Sequence, residues 1–374
     1  MKRFVSLFCV LIILISFSFA GDFTAQENPS LSAEAYVLFC ADNSEVLLSK
    51  NLHTQMGMAS TTKIMTSLLA LEEACENNKI VEFTGDMQAE GSSMYLKVGD
   101  RVRLSDLAAG MMTVSGNDAA NAAAVAIGGS IENFAAMMNE RAKLIGMKNT
   151  NFVNPSGLPL DNHQSTVYDM ALLMTEAMKN QSFADLTKEK NVTVDFVYPK
   201  SQRVTYSNHN RLLSMYEYSI GGKTGYAKST GRCLVTVAQK DNLRLVAVTF
   251  NDRNDWNDHI SLYEYGYENF AAVTIGDKDD LYSINVMGAS LCTVSAEVNE
   301  TKKIVIPKSS QSEYKSRVYL PPFVFAPVRE GQTVGCVVCI RNGEIIEKNE
   351  IKAKASADYL SISWIIRFVR SLFR

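Results

Sequence analysis

The pattern of apolar and polar residues changes along the chain and predicts different kinds of element in turn. Two apolar runs, 35–39 and 46–48, flank the polar turn 42–44, a pattern typical of a β-hairpin. From Ser60 onward, apolar residues recur at helical spacing, so a helix is predicted to begin at or near Ser60. Further helices are predicted at 106–112, 119–127, 131–145, 167–178 and 258–270, and strands at 232–237 and 243–250.

The order of these elements indicates how the chain is organised. Strands, then helices, then strands predict an α+β domain with a sheet packed against a helical region, over residues 30–271. Beyond Val273 short β-rich runs follow, which predict a small all-β second domain over 273–352. A chain of 374 residues, 47% of them hydrophobic, is long enough to form both cores.

The N-terminus has the pattern of a signal peptide. Lys2 and Arg3 precede an apolar run from Phe4 to Ile15. The small residues Ser18 and Ala20 follow at the two positions that signal peptidases recognise. A retained membrane helix is disfavoured because the run is shorter than the ~20 residues that span a bilayer. We expect residues 1–20 to be removed and the mature protein to be secreted across the cytoplasmic membrane.

The C-terminal segment, 356–374, has an amphipathic pattern. At about 100° per residue, Ser363, Arg367, Arg370 and Arg374 fall in one narrow sector, and bulky apolar residues occupy most of the rest. Such a helix is expected to lie in an anionic membrane surface, peripheral on its outer face. The alternative is a helix docked on the protein's own second domain.

The charge balance and the cysteine spacing exclude several kinds of partner and site. With 37 basic and 40 acidic residues, the net charge of -3 gives no reason to expect a nucleic-acid partner. The six cysteines after the predicted signal peptide are not spaced like a disulfide framework, and we expect all six to be small buried hydrophobic residues. Cys336 and Cys339 lie in an apolar strand-like run, where residues three apart point to opposite faces. No metal site and no cofactor are expected.

A first candidate for chemistry is Ser60-Thr61-Thr62-Lys63. It puts a hydroxyl and an amine one helical turn apart on the same helix face. A serine is a weak nucleophile until a base takes its proton, and a lysine serves as that base when burial or a nearby positive charge lowers its pKa. Alone, this tetrapeptide is weak evidence, since such a lysine is usually a solvated surface residue.

Two further motifs follow along the chain. Ser115-Gly116-Asn117 falls in a predicted turn between helices and displays a hydroxyl and a carboxamide. Lys223-Thr224-Gly225 precedes the predicted strand 232–237 and suits an edge strand bordering a cleft, where the small Gly225 allows close substrate approach.

The three motifs in this order form the signature of penicillin-binding proteins and serine β-lactamases. The chain resembles the low-molecular-mass penicillin-binding proteins, the D-alanyl-D-alanine carboxypeptidases, over essentially its whole length. Outside the motifs, the resemblance rests on 58–59, 90–93, 116–120, 151–158 and 265–267. It implies a catalytic domain with an antiparallel sheet and a helical region. It also implies a serine enzyme that removes the terminal D-alanine from peptidoglycan stem pentapeptides and is acylated by β-lactam antibiotics.

The same resemblance implies a role for each motif residue. Ser60 would be the acylated nucleophile, Lys63 its general base, and Ser115 a relay that passes a proton to the leaving D-alanine. The remaining roles concern the substrate: Asn117 would hold its amide, Lys223 would add positive charge, Thr224 would help bind its carboxylate, and the N–H groups of Ser60 and Tyr226 would form the oxyanion hole.

One family feature has no fixed position here. The family commonly has an arginine downstream of the K-T-G strand that helps bind the substrate carboxylate. Arg253, in the polar segment 251–259, is the candidate for that role.

Competing functions remain open at this point. A Ser-His-Asp hydrolase is disfavoured because no G-x-S-x-G motif is present. The four histidines are interpreted as structural or surface residues. A serine β-lactamase shares the three motifs, but no Glu-x-x-Leu-Asn segment is found for the deacylating water. A non-catalytic peptidoglycan-binding scaffold is the third reading, and intact motifs argue against it.

Overall fold

The computed structural model of the chain describes residues 28–360, 366 and 369–373. The predicted signal peptide and most of the predicted tail helix lie outside these residues. The α-helices that have both bounds within them are α1 (Lys63–Glu76), α2 (Leu104–Thr113), α3 (Asn117–Gly128), α4 (Ile131–Ile145), α5 (Val167–Ala177), α6 (Gln181–Thr187), α7 (Leu212–Met215) and α8 (Asp255–Asn269). Short 3₁₀ turns span Ala59–Thr62, Gly85–Met87 and Lys308–Glu313.

The strands of the first region are β1 (Ala35–Cys40), β2 (Glu45–Lys50), β3 (Ile80–Glu82), β4 (Arg101–Arg103), β5 (Asn191–Asp195), β6 (Arg203–Ser207), β7 (Ser219–Ala227), β8 (Gly231–Lys240) and β9 (Leu243–Phe250). Those of the second region are β10 (Phe270–Thr274), β11 (Tyr282–Met287), β12 (Thr293–Val298), β13 (Lys303–Pro307), β14 (Tyr314–Tyr319), β15 (Phe323–Phe325), β16 (Thr333–Arg341) and β17 (Glu344–Ala353).

A five-stranded antiparallel sheet in the order β2-β1-β9-β8-β7 forms the centre of the first region. Both of its faces are covered, which explains why β1 and β9 are nearly continuous apolar runs. Val37 and Phe39 pack with α1 and α5, whereas Leu38 packs with Leu262 and Tyr263 of α8 on the opposite face. The predicted hairpin of β1 and β2 is confirmed, and β7, which carries the K-T-G motif, is an edge strand as predicted.

Helices α1 to α5 form the other half of this region, and their ends follow local sequence signals. The side chain of Ser130 accepts a hydrogen bond from the N–H of Asn133 at the start of α4, and Gly146 ends that helix with φ of 92°. α1 begins at Lys63, directly after the 3₁₀ turn that contains Ser60, so the predicted helix start near Ser60 is confirmed.

The second region is built from strands, as predicted. Its main sheet has six strands in the order β14-β16-β17-β12-β11-β15, and β10 pairs with β13. A separate apolar core, with Ile284, Val298 and Ile351 among its members, lies against this sheet. The α+β fold followed by an all-β part is therefore confirmed.

The structure also corrects one expectation and adds elements that the pattern missed. Cys40, Cys233 and Cys339 are buried, but Cys75 and Cys292 are exposed, so not all six cysteines are core residues. The short hairpin partners β3, β4, β5 and β6 were not predicted, because three to five residues carry too little periodicity. Within the described residues, no helix is long and apolar enough to cross a membrane.

Candidate active site

The three sequence motifs converge on one cleft. The Oγ of Ser60 lies 3.0 Å from the Nζ of Lys63, and the Oγ of Ser115 lies 3.1 Å from the Nζ of Lys223. The side-chain oxygen of Asn117 accepts a hydrogen bond from Lys63 at 2.6 Å, which links the second motif to the first. The cleft is lined by Ser60, Ser92, Ser115, His209, Thr224, Gly225, Tyr226, Arg232, Asp255 and Trp256.

Lys63 is a buried amine surrounded by hydrogen-bond acceptors. Its side chain is fully buried, and its Nζ contacts Ser60 Oγ, Asn117 Oδ1 and the carbonyl of Ser156. Burial, and after it the positive charge of Lys223, lowers the pKa of Lys63 well below its ordinary value, against an opposing effect of Asp118. A lysine with a lowered pKa beside a serine hydroxyl has the properties of a general base.

Lys223 is the second buried cation of the site. It projects from β7, donates to Ser115 Oγ and, at 2.7 Å, to the carbonyl of Thr224. Burial lowers its pKa to about 7. This amine, with its lowered pKa, lies next to the Ser115 hydroxyl.

The turn that carries Ser115 and Asn117 is held in place by backbone geometry and by one carboxylate. Ser115 has a φ of 61°, and a Cβ on Gly116 would lie 2.9 Å from the carboxylate of Asp118 and 3.0 Å from the backbone nitrogen of Met94. Asp118 accepts hydrogen bonds from Ser93 Oγ and from the N–H groups of Met94 and Leu96. One buried carboxylate therefore holds the 92–96 loop, which includes Ser92 at the cleft, against the start of α3.

β7 passes very close to the turn that contains Ser60. A Cβ on Gly225 would lie 3.1 Å from the backbone nitrogens of both Ser60 and Thr61. The close approach that requires glycine here is therefore between β7 and this turn. The next residue, Tyr226, is largely exposed at the cleft and pairs with Arg232 of β8.

Several residues that line the cleft were given no role from the sequence, Arg232 and His209 among them. Arg232 donates to Asp255 at 2.8 Å, and its guanidinium carbon lies 5.7 Å from the centre of the Trp256 ring. His209 lies near Lys223, and partial burial together with that charge lowers the pKa of His209. Arg253, the arginine singled out from the sequence, is exposed and is not among the residues that line the cleft. No sequence signal separates these two arginines, because each belongs to a short polar stretch.

Comparison with known proteins agrees with this geometry. The family model described as D-alanyl-D-alanine carboxypeptidase matches residues 22–254, and the model for the C-terminal domain of penicillin-binding protein 5 matches residues 270–358. The chain belongs to the D-alanyl-D-alanine carboxypeptidase family, and it is a serine-type peptidase of the penicillin-binding class.

Individual relatives match over most of their length. D-alanyl-D-alanine carboxypeptidase DacF of Bacillus subtilis is 29% identical over 95% of this chain and 94% of its own. DacC of Escherichia coli is 31% identical over 89% of this chain and 86% of its own. The crystal structure of penicillin-binding protein 5 from Haemophilus influenzae is similar with a TM-score of 0.72 and 27% identity, covering 89% of this chain and 100% of that one. These relatives favour carboxypeptidase activity over the β-lactamase and scaffold alternatives.

Proposed function

We propose that Ser60 is the residue acylated in the carboxypeptidase reaction and that neutral Lys63 takes its proton. The observation that carries the proposal is the set of contacts around Lys63. A neutral amine has two N–H groups and one lone pair, and Lys63 faces two groups that only accept, Asn117 Oδ1 and the Ser156 carbonyl. The lone pair is then left for the third contact, so the hydroxyl of Ser60 donates to it.

The attack of Ser60 on the carbonyl between the two D-alanines forms an ester and breaks the amide bond. The proton taken by Lys63 passes to the leaving nitrogen through Ser115, whose hydroxyl contacts the Lys223 ammonium. The N–H groups of Ser60 and Tyr226 stabilise the developing oxyanion, and Asn117 holds the substrate amide. Water then hydrolyses the ester and releases the shortened stem peptide of peptidoglycan.

A penicillin label tests this assignment directly. A β-lactam acylates the same serine, so mass spectrometry of the penicillin-treated protein is expected to find the adduct on the peptide that contains Ser60. Ser60→Ala is expected to abolish both the label and the release of D-alanine from a pentapeptide ending in D-Ala-D-Ala. An adduct on another residue would contradict the proposal.

The substrate carboxylate needs a cation at the far side of the cleft, and Arg232 is the better placed candidate. It borders the cleft next to Tyr226 and Thr224, and Asp255 and Trp256 hold its guanidinium. We expect Arg232→Ala to raise the KM for the free-acid peptide by about 10- to 100-fold, the range for one hydrogen bond to a charged group.

Arg253→Ala is the matched control, because it removes the same charge from a nearby exposed position. A second control is a peptide with an amidated C-terminus, for which Arg232→Ala should change the KM little. If Arg253→Ala had the larger effect on the free-acid peptide, the sequence-based candidate would be preferred.

We also propose that the protein is exported and held at the outer face of the cytoplasmic membrane by its C-terminal helix. The support is the amphipathic sequence of the tail and the exposure of its described apolar residues. Ile366, Val369, Leu372 and Phe373 are 47%, 44%, 67% and 86% exposed, as a membrane-binding face requires.

The tail can be tested with vesicles. Deleting residues 359–374 is expected to leave penicillin labelling intact and to abolish sedimentation with anionic liposomes. If the full-length protein also stays in the supernatant, the membrane proposal is wrong, whereas the catalytic proposal is unaffected.

A further inference from the structure

The turn that contains Ser60 is supported by a chain of buried hydrogen bonds outside the three motifs. Ala59 has a φ of 45°, in the left-handed region that non-glycine residues rarely adopt. Its carbonyl accepts a hydrogen bond from the hydroxyl of Thr62 at 2.8 Å. The hydroxyl oxygen of Thr62 lies 2.8 Å from Nε2 of His163, which is also buried.

The donor and acceptor roles in this series of hydrogen bonds follow from one backbone contact. The N–H of Val153 donates to Nδ1 of His163 at 3.0 Å, and a backbone N–H can only donate. Nδ1 is therefore the acceptor nitrogen, and the ring hydrogen of the neutral histidine lies on Nε2. His163 then donates to Thr62, and the hydroxyl hydrogen of Thr62 is free to donate to the Ala59 carbonyl.

The neutral state that this chain requires is consistent with the surroundings of the ring. Burial, and after it the charge of Lys63, lowers the pKa of His163 to about 4. Gly157 packs directly against the same carbonyl, because a Cβ there would lie 2.0 Å from the Ala59 oxygen and 2.9 Å from the Thr62 hydroxyl oxygen. The Ala59 carbonyl is therefore held by a hydrogen bond and by close packing.

The orientation of the Ala59 carbonyl determines the orientation of the next backbone N–H, that of Ser60. The Ala59 carbonyl and the Ser60 N–H belong to one planar trans peptide, so they point in opposite directions. Fixing the carbonyl toward Thr62 therefore fixes the N–H on the other side of the peptide plane. A donor that is already aimed costs no reorganisation when negative charge develops on the substrate oxygen.

We propose that His163 is a positioning residue that, through Thr62 and the Ala59 carbonyl, orients the Ser60 N–H as a donor of the oxyanion hole. The inference rests on the proposed role of Ser60 as the acylated residue. It adds two side chains, Thr62 and His163, that touch neither substrate nor the reacting atoms.

The test separates acylation from binding. For a β-lactam, Thr62→Val should lower the acylation rate constant at saturation by about 10- to 100-fold, somewhat less than the loss of a whole oxyanion donor. The dissociation constant of the non-covalent complex should change less than about threefold, because the donor acts in the transition state. His163→Phe should lower the rate constant in the same direction. Thr62→Ser, which keeps the hydroxyl, should recover most of the rate.

A neighbouring threonine supplies the matched control. Thr66 is equally buried in α1, and its hydroxyl donates to the Pro155 carbonyl at 2.6 Å, away from Ala59. Thr66→Val should lower the thermal midpoint about as much as Thr62→Val while keeping the wild-type acylation rate constant. If Thr62→Val and Thr66→Val slow acylation equally, the effect is general packing and the proposal fails.

The tautomer of His163 is tested without any substitution at the turn. In ¹⁵N spectra of the wild-type protein near neutral pH, assigned with His163→Phe, the ring should carry its hydrogen on Nε2 with an unprotonated Nδ1. A hydrogen on Nδ1 would contradict the proposal, because His163 could then not donate from Nε2 to Thr62. If the wild-type protein is not labelled at Ser60, the proposed function fails first. If it is labelled and Thr62→Val acylates at the wild-type rate, this inference alone fails.

Discussion

The catalytic region and the all-β region bury different kinds of side chain. In the first, Lys63, Lys223, His163 and Asn117 are all buried close to one another. In the second, Asn349 is the one buried polar side chain among the described residues after 270, and it donates to two backbone carbonyls. A buried cation lowers stability unless its surroundings compensate. The comparison therefore places the buried polar groups of the candidate active site in the first region and a mainly apolar core in the second.

The difference leads to a simple expectation for mutations. Changes among the buried polar residues Lys63, Lys223, His163 and Asn117 should act mainly on acylation. The pKa values and hydrogen bonds of these residues are set by neighbours that are also buried. Changes in the core of the all-β region should act on stability and leave acylation unchanged. Three substitutions test this division, and their expected effects on acylation decrease in the order Lys63→Arg, Lys223→Gln and Ile351→Ala.

Lys63→Arg should have the largest effect. Arginine keeps the positive charge but does not deprotonate in proteins, so the base is lost. We expect the rate of penicillin acylation to fall by about 10²- to 10⁴-fold, the usual contribution of general base catalysis. Lys143→Arg, on the exposed side of α4, is the control and should acylate normally. A near-normal rate for Lys63→Arg would remove Lys63 from the role of base.

Lys223→Gln should change the pH dependence of acylation. The Lys223 charge is the second cause, after burial, of the lowered pKa of Lys63. Because Lys63 acts as a base in its neutral form, the rate rises with pH through the pKa of Lys63. Removing the Lys223 charge raises that pKa, so the acidic limb of the rate profile should move to higher pH. Rate profiles of both proteins measure the shift, and an unmoved acidic limb would show that the two amines are not coupled.

Ile351→Ala should have no effect on acylation but a clear effect on stability. Ile351 is fully buried in the core of the all-β region, and such a truncation costs about 2–5 kcal/mol. The unfolding free energy should fall by that amount, while the acylation rate constant below the transition stays at the wild-type value. Ile345→Ala is the control, because Ile345 is 61% exposed and should change stability by less than about 0.5 kcal/mol. Slower acylation by Ile351→Ala would mean that the two regions are coupled.

Much of the fold could be read from local pattern. The helix at 131–145 and the strand at 243–250 have the predicted bounds in the structure, because both are long and their apolar residues follow one period. Short elements such as β3 and β15 could not be predicted in this way. Their three residues form a strand only because another strand of the sheet supplies the hydrogen bonds.

Some features of the candidate site could likewise be predicted from the sequence, and others only from the tertiary structure. The sequence by itself determined the identity and order of Ser60, Lys63, Ser115, Asn117 and Lys223, because each motif is a local string with a recognisable spacing. Tertiary structure alone decided that Arg232 borders the cleft, that Lys63 and Lys223 are both buried, and that His163 contacts Thr62 across 101 residues of chain. Burial, pKa and tautomer depend on which atoms surround a group, and here those atoms come from distant parts of the chain that only folding brings together.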